Sequence, residues 1–418
     1  MTTPQPAAAP TPRPTAVGAQ SGIDAHQVMF SGQGGEYFRV WIVNILLKVI
    51  TVGLYTPWAR RRTARYFYDH TVLAGHPLEF TAPIRKMVFG FVALLGLYLA
   101  FEIAGRAGQD VAVAVMIVGA AALAPFGWAS AMRFRLGSTR WRGLQFRFDA
   151  SWKEIYAASW PVFAVAGMWI VVIFVVDPRA QFPDASKPQL PDIHPGHWAL
   201  LVFALAASLA GFVRLEFNYT RLLFLRSGIG GQAGCWKPSY RAFVRIWLAS
   251  VGVFLAVLVL VGAPVGLGPL GIDPVGGGVA GMLSEWGAGG VVFAMWLLVL
   301  WLIVPLALFV AFTPAWAWRE ARLFALVWSG VGLGRIARVR STLDPWRFVR
   351  LRVMNTILTL LTLGLYRPFA KVSEYRMKTE SVTVYVRGDL DAIVGRLERE
   401  QGGLSDALAD AVGLDLVG

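Results

Sequence analysis

The sequence predicts an all-α polytopic membrane protein. Six long transmembrane helices are flanked by two shorter, repeat-related hydrophobic helices, with small β-hairpin-like cassettes on the cytoplasmic side. Three observations carry that expectation. Of 418 residues, 56% are hydrophobic and only 15% charged, where a soluble domain is about a quarter charged. Six apolar runs, roughly 87–105, 111–132, 155–176, 197–217, 243–265 and 289–312, reach the roughly 20 residues needed to cross a bilayer core. Finally, two distant segments copy each other at a constant offset of 311: Asn44/Asn355, Leu47/Leu358, Thr51/Thr362, Gly53/Gly364, Leu54/Leu365, Tyr55/Tyr366, Pro57/Pro368, Ala59/Ala370 and Arg65/Arg376. An internal repeat speaks of assembly before it speaks of chemistry.

In chain order, residues 1–27 read as a disordered Pro/Ala-rich tail. Their first 20 positions carry one charge and lack the apolar stretch of a signal peptide. Residues 28–391 form the repeat-built membrane domain, and residues 392–418 a cytoplasmic-type tail expected to be helical. The two repeat copies occupy apolar runs 40–55 and 351–366. At about 24 Å each they are short for a crossing, and Asn44, Lys48 and Asn355 interrupt them. Both readings stay open: re-entrant or interfacial helices, giving six spans, and thin or tilted crossings, giving eight. The two asparagines at equivalent positions suggest hydrogen bonding across a pseudo-symmetric centre.

Between the runs a cassette recurs. Arg65 to Gly75, ending at Phe80, matches Arg133 to Gly143, ending at Phe148; Arg221 to Gly231 and Arg322 to Gly332 keep only the Arg and Gly. Alternation at Leu78/Phe80 and Phe146/Phe148 suggests short strands with glycine turns. Charge then orients the chain. Loops 56–86, 133–154 and 214–245 carry six basic residues each and 319–352 carries eight, against one in 106–110, two in 177–196 and none in 268–288. The basic set belongs to the cytoplasm.

Chemistry is sparse. One cysteine, Cys235, excludes a disulfide framework and multi-cysteine metal sites. His194 and His197 are separated by Pro-Gly, which prevents helical alignment of a metal pair. The Gly-rich stretch from Gly266 to Gly271 contains Pro269 and opens no helix after a strand, so it is not a dinucleotide loop. No nucleophile–base pair, cofactor motif or catalytic residue emerges, and enzyme function ranks last. The net charge of +14 clusters beside apolar runs, where it meets anionic headgroups, instead of forming a nucleic-acid face. Arg65, Arg133 and Arg376 are candidate clamps for phosphate headgroups or an anionic solute, against the plainer role of topology anchors. Asn44, Lys48 and Asn355 are candidate markers of an intramembrane path. Glu102 and Arg106 should form a local ion pair.

The run Phe30-Ser-Gly-Gln-Gly-Gly-Glu-Tyr-Phe-Arg-Val-Trp41, then Asn44, Thr51, Gly53, Tyr55, Pro57, Trp58, Ala59, Arg62 and Arg65-Tyr-Phe-Tyr68, resembles the bacterial inner-membrane YjgN family. Gly388-Asp-Leu-Asp391 resembles its closing motif, so the likeness covers roughly residues 28 to 391. Val52, the Leu78/Phe80 pair and the Pro/Ala-rich head depart from the pattern. The resemblance implies a multi-pass plasma-membrane protein with a domain of unknown function, and it carries over no catalytic residue. The leading expectation is an inner-membrane protein that binds or transports a small solute or lipid. The alternative is a structural or regulatory scaffold whose cytoplasmic loops dock a partner.

Overall fold

The computed structural model describes residues 23–176, 195–237, 239–267, 309 and 312–411. Its organising element begins in the cassettes. Strands β3 (Thr71–Leu73) and β4 (His76–Phe80) flank Ala74-Gly75; β5 (Thr139–Trp141) and β6 (Leu144–Phe148) flank Arg142-Gly143; β7 (Ser227–Ile229) and β8 (Gln232–Trp236) flank Gly230-Gly231. Both residues of each turn have positive φ, from 49° at Ala74 to 80° at Gly231. This two-residue turn matches the twist of the strands it joins, and it is why glycine recurs at its second position. A fourth hairpin, β9 (Val331–Leu333) and β10 (Ala337–Ser341), turns through a longer loop opened by Gly334.

These hairpins do not stand alone. β4 pairs with β5, β6 with β7, β8 with β9, and β10 with β11 (Val382–Arg387), all antiparallel. The remaining gap is closed by one continuous stretch. β1 (Ile23–Gln27), at the end of the segment expected to be a tail, pairs with β11, and β2 (Met29–Phe30) pairs with β3. Eleven strands thus make a single sheet whose two terminal strands are neighbours in the chain. The chain itself joins the ends into a ring, which leaves no long free edge.

Helical excursions rise from this ring between its strands. α1 (Gly34–Ile50) and α2 (Thr56–Asp69) lead from β2 to β3; α3 (Ile84–Arg106) and α4 (Asp110–Gly137) lead from β4 to β5. α5 (Trp152–Ala158), α6 (Trp160–Val176) and α7 (Pro195–Arg226) lie between β6 and β7. α8 (Tyr240–Leu267) and α9 (312–329) lie between β8 and β9. α10 (Pro345–Leu361) and α11 (Arg367–Glu380) lead from β10 to β11. Each helical excursion starts and ends at the sheet, so the ring occupies the side that charge assigns to the cytoplasm. The first and last pairs adjoin: Phe30, Tyr37, Tyr66 and Phe67 pack against Val372 of α11. A final helix, α12 (Leu390–Ala411), lies across the hairpin turns. Its Ile393, Val394 and Leu397 are buried against Trp141, Leu144, Ile229 and Val386 from four strands.

The all-α expectation is therefore wrong. The cassettes are hairpins, as their alternation suggested, but they pair with one another into an eleven-stranded sheet. Pairing between segments some 60 to 100 residues apart leaves no local trace, which is why the sequence shows hairpins and conceals the sheet. The span inventory changes too. Four helices among the described residues are long and apolar enough to cross: Ile84–Arg106, Asp110–Gly137, Gly196–Arg226 and the Tyr240–Val257 part of α8. A fifth requires counting α5 with α6, which bend by 46°. At that bend the Ser159 hydroxyl donates to the Ile155 carbonyl at 2.8 Å. The expected run 289–312 lies almost wholly outside the described residues, as does His194. Runs 40–55 and 351–366 begin in α1 and α10, each 17 residues long, and end in the turns that follow, and neither helix is a span by length. Arg106 Nε does donate to Glu102 Oε2 at 3.2 Å.

Candidate lipid-headgroup rim

Arg65, Arg133, Arg221 and Arg376 each stand six positions before the first strand residue that follows: Thr71, Thr139, Ser227 and Val382. At 1.5 Å per helical residue they share a level about 9 Å above the sheet. The fourth sequence copy was misregistered. β9 begins at Val331, so Ala325 holds the equivalent position, and Gly332 lies within the strand instead of its turn.

Arg133 is the best-defined member. Its Nη2 donates to the Ala150 carbonyl at 2.6 Å, and its guanidinium lies 4.1 Å from the Trp152 ring centroid. Trp152 stacks on Phe126 at 4.9 Å. One donor is thus committed and one face covered, and Arg133 borders a cleft of about 570 Å³ that Arg147, Asp149 and Ser151 also line. Trp152, against Arg133, is exposed, as are Tyr156 and Trp160 four and eight residues further along, the residue types that favour a membrane interface. Arg376 is arranged similarly, with Nη2 donating to the Gly32 carbonyl at 2.7 Å and Nε 3.9 Å from Glu380. Both arginines clasp the carbonyl two residues after a strand, at β6 and β2. Arg65 is exposed and acts on Asp69, whose carboxyl burial raises above its ordinary value while Arg65 opposes the rise.

The intramembrane candidates take different places. Asn355 Nδ2 donates to Ala370 O at 3.3 Å, Ser373 Oγ at 3.0 Å and Glu374 Oε1 at 3.1 Å. Asn44 Nδ2 reaches Ala59 O and Thr63 Oγ1, both at 3.5 Å. Each asparagine joins the two helices of its own hairpin, and no Asn44–Asn355 bond bridges a shared centre. Lys48 is half-buried near the end of α1. Of the two clefts described among these residues, neither is lined by Asn44, Lys48 or Asn355. Asn355→Ala is expected to cost about 2 kcal/mol, because the Glu374 carboxylate loses a donor, and Asn44→Ala about 1 kcal/mol. Thermal unfolding in detergent checks the order of the two.

Sequence reading passed over two charged groups. Glu216 Oε2 accepts from Trp247 Nε1 at 2.8 Å, while buried Arg319 lies between Trp247 and Trp316, 4.0 and 4.3 Å from their centroids. Lys378 and Arg352 both pair with Glu320, and Arg352 also pairs with Glu374. That chain ties α9 to α10 and α11. The partners lie on separate helices at no repeating interval, so only their glutamates and arginines near apolar runs could have drawn notice.

A family model described as Bacterial protein of unknown function (DUF898) matches residues 25–411. The chain is similar to the inner membrane protein YjgN of Salmonella typhimurium, 27% identical over 157 residues, which is 36% of this chain and 38% of that protein. Similarity to the inner membrane protein YjgN of Escherichia coli O157:H7 is 26% over 151 residues, again 36% and 38%. The match thus spans little more than a third of these relatives' length. No solved structure matches.

Proposed function

This chain belongs to the family of bacterial proteins of unknown function (DUF898), with inner-membrane relatives, and from that premise we propose that it binds membrane lipid at the rim of its sheet ring. Acyl chains fill the space beside the membrane helices, and anionic headgroups meet the arginine level above the sheet. One observation carries the reading. Among the described residues the apolar helices are almost uncovered by protein, with none of the apolar stretch of α3 and 17% of that of α8 buried, while the sheet below them is nearly closed. A transporter of polar solutes needs a lined path at mid-membrane depth. The polar groups expected to line one, Asn44 and Asn355, are engaged inside their own hairpins. The Arg133 cleft supplies a guanidinium beside an interfacial aromatic, a combination suited to phosphate.

Native mass spectrometry of the protein purified in mild detergent tests this. Co-bound anionic phospholipid is expected, with at least a several-fold loss on Arg133→Ala. Protein free of lipid, or retention unchanged by Arg133→Ala, Arg65→Ala and Arg376→Ala together, would refute it. A scaffold reading is favoured by a second cleft, about 540 Å³, where Lys237, Arg338, Arg340 and Tyr385 present a basic surface of the ring. Lipid-free protein in the same experiment would favour that reading.

A further inference from the structure

α1–α2 and α10–α11 agree residue for residue in their bounds at the offset of 311. Their tips are built alike as well. At the end of α1, Gly53 N–H donates to Lys48 O at 2.7 Å, and Thr51 Oγ1 donates to Leu47 O at 2.7 Å while accepting from Tyr55 N–H at 3.0 Å. At the end of α10, Gly364, Thr359, Thr362, Leu358 and Tyr366 repeat every one of those bonds. Pro57 and Pro368 then open the returning helices, where their fixed φ suits a first turn. The Thr-x-Gly-x-Tyr-x-Pro pattern is thus the wiring of a tight helical hairpin.

What the tips expose does not suit water. Val52 and Leu363 sit in the left-handed region, at φ 49° and 50°, which costs a bulky residue free energy. They are also 91% and 94% exposed, and Val49, Ile50, Leu54, Leu361 and Leu365 beside them are exposed too. A strained, uncovered valine or leucine in each copy is a liability in an aqueous loop and an asset in hydrocarbon.

Height sets how far they reach. α1 and α10 rise about 25 Å from the ring, against about 35 Å for α3 and about 42 Å for α4. Their return helices carry Arg60, Arg61 and Arg62, or Arg367 and Lys371, which bar deep entry. Arg60 stands about 15 Å above the sheet, so the first apolar tip extends about 10 Å past it. That is the depth of an interfacial insertion, short of the opposite leaflet. Lys48 and Arg367 stand nearer the tips, where their long stems let the charged ends snorkel back to the headgroups.

We propose that the two hairpins are paired re-entrant anchors whose tips, Val49–Leu54 and Leu361–Leu365, insert into the acyl region of the cytoplasmic leaflet and turn back within it. The occupant of this apolar surface is lipid: it continues the surface of the neighbouring membrane helices, and both flanks are basic, matching anionic headgroups. The inference stands independently of headgroup binding at Arg133.

Single cysteines at positions 52 and 363, as Val52→Cys and Leu363→Cys in a Cys235→Ser background, test it in the full chain in bilayers. A membrane-impermeant maleimide should label neither from the outer face of intact cells nor in inside-out vesicles, while Gln109→Cys, between α3 and α4, labels from outside. Spin labels at both tips should be relaxed strongly by oxygen and weakly by a water-soluble nickel chelate, at a depth of about 10 Å. Labelling from outside would make the hairpins spans and overturn the proposal. Labelling in inside-out vesicles would place the tips in water and overturn it equally. Low access to both relaxing agents would mean a protein partner or second copy covers them, which also overturns it.

Discussion

Leu397→Asp is expected to detach α12 from the turns of the sheet ring. Leu397 is buried in the cluster shared with Trp141, Leu144, Ile229 and Val386. The ideal Cβ of Gly230 would lie only 2.7 Å from its Cβ, so helix and turn are already in close contact. Truncation to alanine forfeits about 3 kcal/mol of burial and packing. The aspartate adds a charge buried among apolar side chains, so the total should reach about 4 kcal/mol or more. Hydrogen exchange should then accelerate in β5, β6 and β7, with less change in the α3–α4 excursion. Arg399→Ala, on the exposed side of α12, should change stability by no more than about 0.5 kcal/mol. Equal effects of Leu397→Asp and Arg399→Ala would show that α12 does not hold the ring.

Gly234→Ala should be nearly as damaging for a different reason. A Cβ there would meet the Ser227 carbonyl at 2.7 Å and the Phe224 carbonyl closer still. Both obstacles are backbone, at the junction of α7 with β7, so neither can swing aside. Relief requires β8 to move away from α7 and strain its pairing with β9 at Leu333 and Gly332. A loss of about 3 kcal/mol is expected, near the upper end for overpacking. Gly395→Ala is the matched control. It lies inside α12 with nothing within 4 Å of the added atom and should stabilise the helix by about 0.5–1 kcal/mol. Thermal unfolding of both variants in the same detergent decides, and a tolerated Gly234→Ala would contradict the close approach of β8 to α7.

Much of the local structure was legible in the residues. Gly75 and Gly143 mark turns because their backbone has positive φ, and glycine accepts that conformation at little cost. The copied tip segments are legible because a helical hairpin needs threonine, glycine, tyrosine and proline at fixed intervals. The rim arginines were visible as a periodicity. Their clasping of Ala150 and Gly32 was not, since a carbonyl partner leaves no mark in residue type. The Arg322–Gly332 copy misled for a related reason: β9–β10 turns through a longer loop, and two residue types ten apart recur by chance in a chain with 44 glycines. The Glu216–Trp247–Arg319 group stayed hidden because its members meet only when α7, α8 and α9 do.

By itself, the sequence determined the solvent and the local pieces. Hydropathy selects lipid, and short-range rules place hairpin turns and helix ends. Only the tertiary structure decided that the pieces form a ring, that Ile23 pairs with Arg387 at the far end of the chain, and that α12 covers its turns. Backbone hydrogen bonds between strands are indifferent to side-chain identity. Which strand meets which is therefore settled by the packing of whole helical excursions, and that information is spread over the chain instead of written at any one site.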